Sequence, residues 1–243
     1  MVKTDLINYY KKCDISGYTV LLPSIGVGNV AQLSIDLLIS SLKMEKIATV
    51  WHRSIVPIIG PKAFQHDTDK ITTSCELYIS YAKKIVAFQI RSPIVAATMM
   101  EFFNELIDIL KLERVEKLVL LTSSYAYEQH FVGTNPFAMI ANDAFKNAEK
   151  NAIRRWSEYQ GDIIHGGGYA KQLMSVASDK SIPCLILFKY VSEGDNSGDA
   201  VSLLEELNYS FDFMEKSDDG KLNVILPISW KSLFGNPLPD QLY

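Results

Sequence analysis

Gly26, Gly28 and Ala31 fall in the spacing G-x-G-x-x-A, between a β-type run over residues 18–22 and a run with helical spacing at Val30, Leu33, Leu37 and Ser41. That arrangement brings backbone close to a pyrophosphate and sets the phosphate on a helix N-terminus. A complete dinucleotide fingerprint adds an acidic residue about 20 positions on, where it holds the ribose hydroxyls. Here the next strand, expected over residues 47–52, ends in His52 and is followed by Arg53, a cation suited to a 2′-phosphate. The alternative function this spacing offers is an NADP-dependent oxidoreductase using Gly26, Gly28 and Arg53. The competing reading is a sharp turn and close helix packing, with the glycines serving the backbone alone.

Other reactive types are sparser. Gly166, Gly167 and Gly168 beside His165 have the makings of an anion nest or oxyanion loop, which suggests a nucleoside- or phosphate-handling enzyme. The run lacks the following Lys-Ser/Thr of a P-loop, however, and reads better as an approach to a helix. Ser123 and Ser124 follow a strand without the G-x-S-x-G pattern and read as turn formers. Glu193 and Asp195 suit an Asx-type turn ahead of a helix capped by Asp199. His52, His66, His130 and His165 are scattered, and Cys13, Cys75 and Cys184 have no C-x-x-C spacing. The residues alone therefore spell no catalytic, cofactor-binding or metal-binding set.

The elements that would position these groups read as α/β. The opening strand, turn and helix, with Asn29 as N-cap, begin a layered fold because the helix must cover the sheet. Residues 56–70 read as an ordered loop with a polar tip. Runs over 71–80 and 84–91, joined by Tyr81, Ala82 and Lys83, read as a hairpin, so the sheet is expected to be mixed. Thr98 to Glu101 has capping-box spacing, ahead of an apolar stripe of Met99, Phe102, Phe103, Leu106 and Leu110. Next come a strand over 117–122, a loop over 123–136 across the carboxyl edge of the sheet, and a helix from Asn142 or Asp143 to about Tyr159. A helix after residues 161–169, a strand over 182–191 and an amphipathic helix from Ala200 through Phe211 to Met214 follow.

Residues 227–243 read as an extended tail, with Trp230 and Phe234 between prolines and packing back on the domain. Its last residues, Leu242 and Tyr243, set a free carboxylate beside an aromatic ring, an arrangement suited to capture by a partner. A chain of 243 residues accommodates one domain over 1–243 carrying that tail at about 227–243. The net charge of −4 is evenly spread, with no Lys/Arg block, so no nucleic acid is expected. No apolar run has bilayer-spanning length, and the scattered cysteines suit reduced thiols, so the expectation is no membrane and a cytoplasmic and nuclear location.

Several segments together resemble one family. LLPSIGVGNVAQLSIDLLISSL, FQIRSP, LTSSYAY, TNPFAMI, GGGYAKQL, KYVSEGDNSGDAVSLLEELN and WKSLFGNPLPDQLY are similar, in this order, to the proteasome assembly chaperones, over residues 17–243. The resemblance implies a three-layer α/β/α sandwich, phosphorylase/hydrolase-like, with a mixed, mostly parallel sheet and a β-hairpin insertion, and no catalysis or cofactor. It implies a heterodimer with proteasome assembly chaperone 1 that binds 20S proteasome α subunits, promotes α-ring assembly and prevents off-pathway α-ring dimers. Members of the family insert a C-terminal hydrophobic-tyrosine-any motif between α subunits. Here the chain ends Gln241, Leu242, Tyr243, so the tyrosine is terminal instead of penultimate. What carries over is a docking tail, with Leu242 as apolar contact and Tyr243 supplying ring and carboxylate.

Overall fold

The computed structural model describes residues 6–129, 135–149 and 153–232. In chain order the elements are β1 (Ile7–Tyr9), β2 (Thr19–Pro23), α1 (Val30–Ser41), β3 (Glu45–Val50), β4 (Ile59–Pro61), β5 (Ile71–Thr73), β6 (Cys75–Ser80) and β7 (Ile85–Ile90). There follow α2 (Met99–Leu112), β8 (Lys117–Tyr125), β9 (Phe137–Ala141), α3 (Asp143–Ala148), β10 (Ser157–Glu158), α4 (Ala170–Asp179), β11 (Cys184–Val191) and α5 (Ser197–Phe211).

Nine strands form one sheet in the order β1-β3-β6-β7-β2-β8-β11-β9-β10. The centre, β7, β2, β8 and β11, is parallel, whereas β1, β3, β6 and β7 pair antiparallel in succession and β9 runs antiparallel to β11. Central strands such as β2, buried along its whole length, read as continuous apolar runs because both faces are covered. Alternation along β2 divides the core: Leu21 packs with Ile35 and Leu204 from α1 and α5, and Val20 and Leu22 pack with Phe103 and Leu173 from α2 and α4. The result is a three-layer α/β/α sandwich with a mixed sheet, as expected from the resemblance. Among the described residues no helix is long and apolar enough to cross a membrane.

Several local expectations change. Residues 56–70 are not simply a loop, because β4 pairs antiparallel with β5 as a separate two-stranded ribbon. The expected strand over 71–80 therefore divides at Ser74, whose hydroxyl accepts from Ile58 N–H at 2.7 Å and donates to Val56 O at 2.8 Å. β8 continues to Tyr125, so Ser123 and Ser124 are strand residues and not turn formers. The helix expected to reach Tyr159 stops at Ala148, because Phe145 is the one buried residue of α3 and no apolar stripe continues it. Asn29 precedes α1 in left-handed backbone, φ 52°, without a side-chain cap bond. The capping box before α2 is not formed: Ser54 Oγ donates to Thr98 Oγ1 at 2.7 Å and Glu101 pairs with Arg53. Asp199 lies inside α5, bridged to Lys189 at 2.8 Å, and α5 ends before Met214. The tail begins as a 3-10 helix, Ile228–Ser232, where extended chain was expected. His130, Phe234, Leu242 and Tyr243 lie outside the described residues.

Candidate functional site

After Pro23 the chain turns across the carboxyl end of β8, and there the three motifs read separately in the sequence meet. Thr122 Oγ1 donates to Gly167 O at 2.9 Å, Ser123 Oγ to Val27 O at 2.6 Å and Ser124 Oγ to His165 O at 2.9 Å. Ser24 Oγ donates to Gly167 O at 2.8 Å and accepts from Tyr169 N–H at 2.8 Å, while the Tyr169 hydroxyl donates to Pro23 O at 2.7 Å. Burial holds that hydroxyl well above the usual tyrosine range. Val27 N–H, a donor a phosphate would use, is bonded to Gly166 O at 2.8 Å.

Space is exhausted as well. A Cβ added at Gly26 would lie 2.7 Å from Ser123 Oγ, at Gly28 2.3 Å from Asn196 Oδ1, and at Gly168 2.3 Å from Ile25 O. Where a methyl group has no room, a phosphate has none. The glycines let three chain segments approach one another, and on the sides that the Cβ atoms of Gly26, Gly28 and Gly168 would face there is no room for an anion. The nucleotide reading therefore loses its phosphate site at the G-x-G turn.

Arg53 fails the same reading through strand order. In a dinucleotide-binding unit the second strand lies beside the first, but here β6 and β7 separate β3 from β2. Three strand spacings amount to about 14 Å, so Arg53 cannot reach the turn as a 2′-phosphate partner would. Arg53 is ion-paired with Glu101 on α2 instead.

That neighbourhood holds a cluster the sequence did not signal: side-chain ligand atoms of His52, Glu101 and Glu105 lie within 4.8 Å of one another. His52 Nδ1 accepts from Ser54 N–H at 3.1 Å, so the neutral ring carries its proton on Nε2, 3.9 Å from Glu105 Oε2. A metal needs the lone pair of that nitrogen, and Arg53 already neutralises Glu101. The cluster is an electrostatic tie between the end of β3 and α2.

Other groupings are structural. Arg91 grips Asp36 with two bonds, of 2.7 and 3.2 Å, and Gln89 Nε2 donates to Asp36 Oδ1 at 2.5 Å. Burial pulls the Arg91 guanidinium down, but Asp36 outweighs it and the net shift is upward. Burial pushes the Cys75 and Cys184 thiols up, away from the thiolate form a nucleophile needs. Asp195 accepts from Ser197 Oγ at 2.6 Å and from Ser197 N–H at 3.0 Å, bonds that hold its carboxyl below the usual range; this is the expected turn. Trp230 packs back as expected, its indole N–H 3.5 Å from Asp36 Oδ2, and Ser229 N–H donates to Ala63 O at 3.2 Å.

A family model described as the PAC2 family matches residues 20–222. This chain belongs to the PAC2 family. It is 32% identical over 254 aligned positions to proteasome assembly chaperone 2 of Bos taurus, covering 95% of this chain and 96% of that protein. To proteasome assembly chaperone 2 of Homo sapiens it is 30% identical over 254 positions, with 95% and 96% covered. Among solved structures, Pyrococcus furiosus PbaA, an archaeal homolog of proteasome-assembly chaperone, matches with a TM-score of 0.69 at 17% identity, over 88% of this chain and 89% of that one. The PAC2 match includes the whole glycine junction, so the closed turn is part of the family's region of the chain.

Proposed function

We propose that this chain is a non-catalytic assembly chaperone subunit that pairs with proteasome assembly chaperone 1 and promotes formation of the 20S α ring, preventing off-pathway α-ring dimers. The observation that carries this reading is the likeness to curated proteasome assembly chaperone 2 proteins along 95% of the chain. The closed glycine junction supports it, since at the motif that most suggested chemistry Val27 N–H is bonded to Gly166 O and the glycine Cβ positions are filled by neighbouring atoms. Strands drawn into one sheet from Ile7 to Val191 support reading residues 1–243 as one domain, with a C-terminal tail from about residue 227 that begins as a 3-10 helix. Chaperoning is differential binding here: the complex holds α subunits in a ring-competent arrangement and leaves when the mature core, in cytoplasm or nucleus, offers a different surface. Leu242 and Tyr243 are the docking residues of the tail, whose base is tied to Ala63 and Asp36 through Ser229 and Trp230.

The test is mild affinity purification of the tagged chain from its own cells, with mass spectrometry of what is retained. The expected result is a similar-sized chaperone partner and 20S α subunits, with few regulatory subunits of the mature proteasome. Recovery of the chain alone, or with unrelated metabolic enzymes, overturns the reading.

A further inference from the structure

The carboxyl ends of β8 and β11 hold tyrosine rings beside carboxylates that no Lys or Arg neutralises. The last register pair of the two strands is Tyr125↔Val191. From there β8 passes into a 3-10 turn, Ala126–Glu128, and β11 into the turn before α5. Tyr127 and Glu193 each stand two residues beyond that pair, on neighbouring strands about 4.8 Å apart. Tyr127 is 74% exposed, and its ring stacks on that of Tyr125 with centroids 5.0 Å apart. Desolvation, then Tyr125, Glu128 and Glu193, hold the Tyr127 hydroxyl above the usual tyrosine range. Desolvation comes first at Tyr159 and Tyr190 as well, and Glu128 adds to it at both. The rings of those two half-buried tyrosines meet Phe188 edge-on, at 5.4 and 5.3 Å. Ring contacts and the reach of one carboxylate thus join Tyr125, Tyr127, Tyr159 and Tyr190 into a single surface around Glu128.

Charge says what fits there. Among the described residues Glu128 and Glu193 belong to no ion pair, and no Lys or Arg acts on Tyr127, Tyr159 or Tyr190. The lysines of the adjoining elements are engaged, Lys189 by Asp199 at 2.8 Å and Lys171 by the Gly161 carbonyl at 2.7 Å. An exposed tyrosine face between unpaired carboxylates attracts a guanidinium or ammonium twice, through the ring and through charge-assisted hydrogen bonds.

The course of the tail's base says which partner comes within reach. Ile225 N–H donates to Ser41 Oγ at the end of α1, and Trp230 reaches Asp36, nearer the start of that helix. Trp230 and Lys231 then share with Ser197, the first residue of α5, a groove of about 440 Å³. Both α1 and α5 follow parallel strands, β2 and β11, and begin at the carboxyl end of the sheet, so the chain is led toward that end. Ser197 N–H in turn bonds Asp195, in the same turn as Glu193. Residues 233–243 span at most about 36–40 Å, so a partner holding the last of them lies within that distance of the groove.

We infer that the tyrosine-and-carboxylate face docks the same α-subunit surface that takes the tail, seating a Lys or Arg of that surface on Tyr127 between Glu128 and Glu193. The inference rests on the function proposed above and adds to it a folded contact of defined charge. An aromatic anchor paired with a cation is the composition of an interface hot spot.

The test uses the chain co-expressed with its sister chaperone from the same organism, with the affinity of the purified pair for 20S α subunits measured for variants. Tyr127→Ala is expected to weaken binding about fivefold. Glu193→Lys is expected to weaken it about tenfold or more, because it sets like charges against each other. Glu116→Lys makes the same change of charge at an exposed position before the amino end of β8, and is expected to leave binding unchanged. Tyr127 and Glu193 are exposed, so unchanged melting of each variant separates lost binding from lost folding. Full affinity in both Tyr127→Ala and Glu193→Lys overturns the assignment of the face and leaves the chaperone reading standing. Equal losses in Glu193→Lys and Glu116→Lys overturn it too, since overall charge alone would then account for them. Loss of sister pairing in Tyr127→Ala overturns the choice of occupant. Failure of the wild-type pair to bind α subunits overturns the functional reading itself.

Discussion

Gly168 and Gly17 share left-handed backbone, φ +61° and +74°, but only Gly168 is enclosed. A Cβ at Gly168 would sit 2.3 Å from the Ile25 carbonyl oxygen, whereas one at Gly17 meets nothing within 4 Å. Gly17→Ala therefore measures the left-handed cost alone, about 1–2 kcal/mol. Gly168→Ala adds a clash with backbone, about 1–3 kcal/mol further. Urea unfolding of both variants checks this, and equal losses would show that the turn and the loop part without cost. Asp67 carries the clearest pH signature. Its Oδ2 is buried without a hydrogen-bond partner, and burial raises its pKa against the opposing pull of Lys46 and His66. A raised folded pKa means the native state keeps a proton that the unfolded chain has released. The native state is therefore favoured below the unfolded carboxyl value, near 3.9, and loses that advantage as pH rises through the folded value. Asp67→Asn is expected to raise the melting temperature at pH 7 and to change nothing at pH 3. A gain of equal size at both pH values would assign the effect to packing.

Between α1 and β7 the fold depends on a buried ion pair, Asp36–Arg91, with Gln89 bonded to the same carboxylate. Removing one partner leaves an uncompensated buried charge, so Arg91→Ala is expected to cost about 3–5 kcal/mol. The double variant Asp36→Leu/Arg91→Met should recover much of that, because matched apolar groups replace the pair; equal losses in the two would show that packing, and not charge, joins α1 to β7. Such tertiary partners explain which elements the sequence made legible. β2, β11, α2 and α5 were legible because long apolar runs or stripes repeat at the period of the element. The ribbon β4–β5 and the strands β9 and β10 were not, since their order comes from pairing with neighbouring segments and not from a pattern along the chain. Ser123 and Ser124 look like turn residues until their hydroxyls are seen to bond carbonyls of the turn and of the 165–167 loop, tens of residues away.

At the scale of the whole molecule, strand order decides what the motifs mean. The sequence shows that Arg53 follows a strand, but not that the β6–β7 hairpin lies between that strand and the glycine turn. The closed junction was likewise visible only as three unrelated motifs, because neither hydrogen-bond partners nor excluded space leave a local pattern. The docking role of the tail comes from the resemblance and from the terminal carboxylate, so it needs its own test. Removing residues 241–243 leaves Trp230 and Ser229, which tie the tail's base to Asp36 and Ala63, in place. The expected outcome is unchanged melting, unchanged pairing with the sister chaperone and at least tenfold weaker binding to α subunits. Trp230→Ala should differ, loosening the base of the tail and lowering both stability and α-subunit binding. Full α-subunit affinity after truncation would move that contact from the tail onto the folded surface.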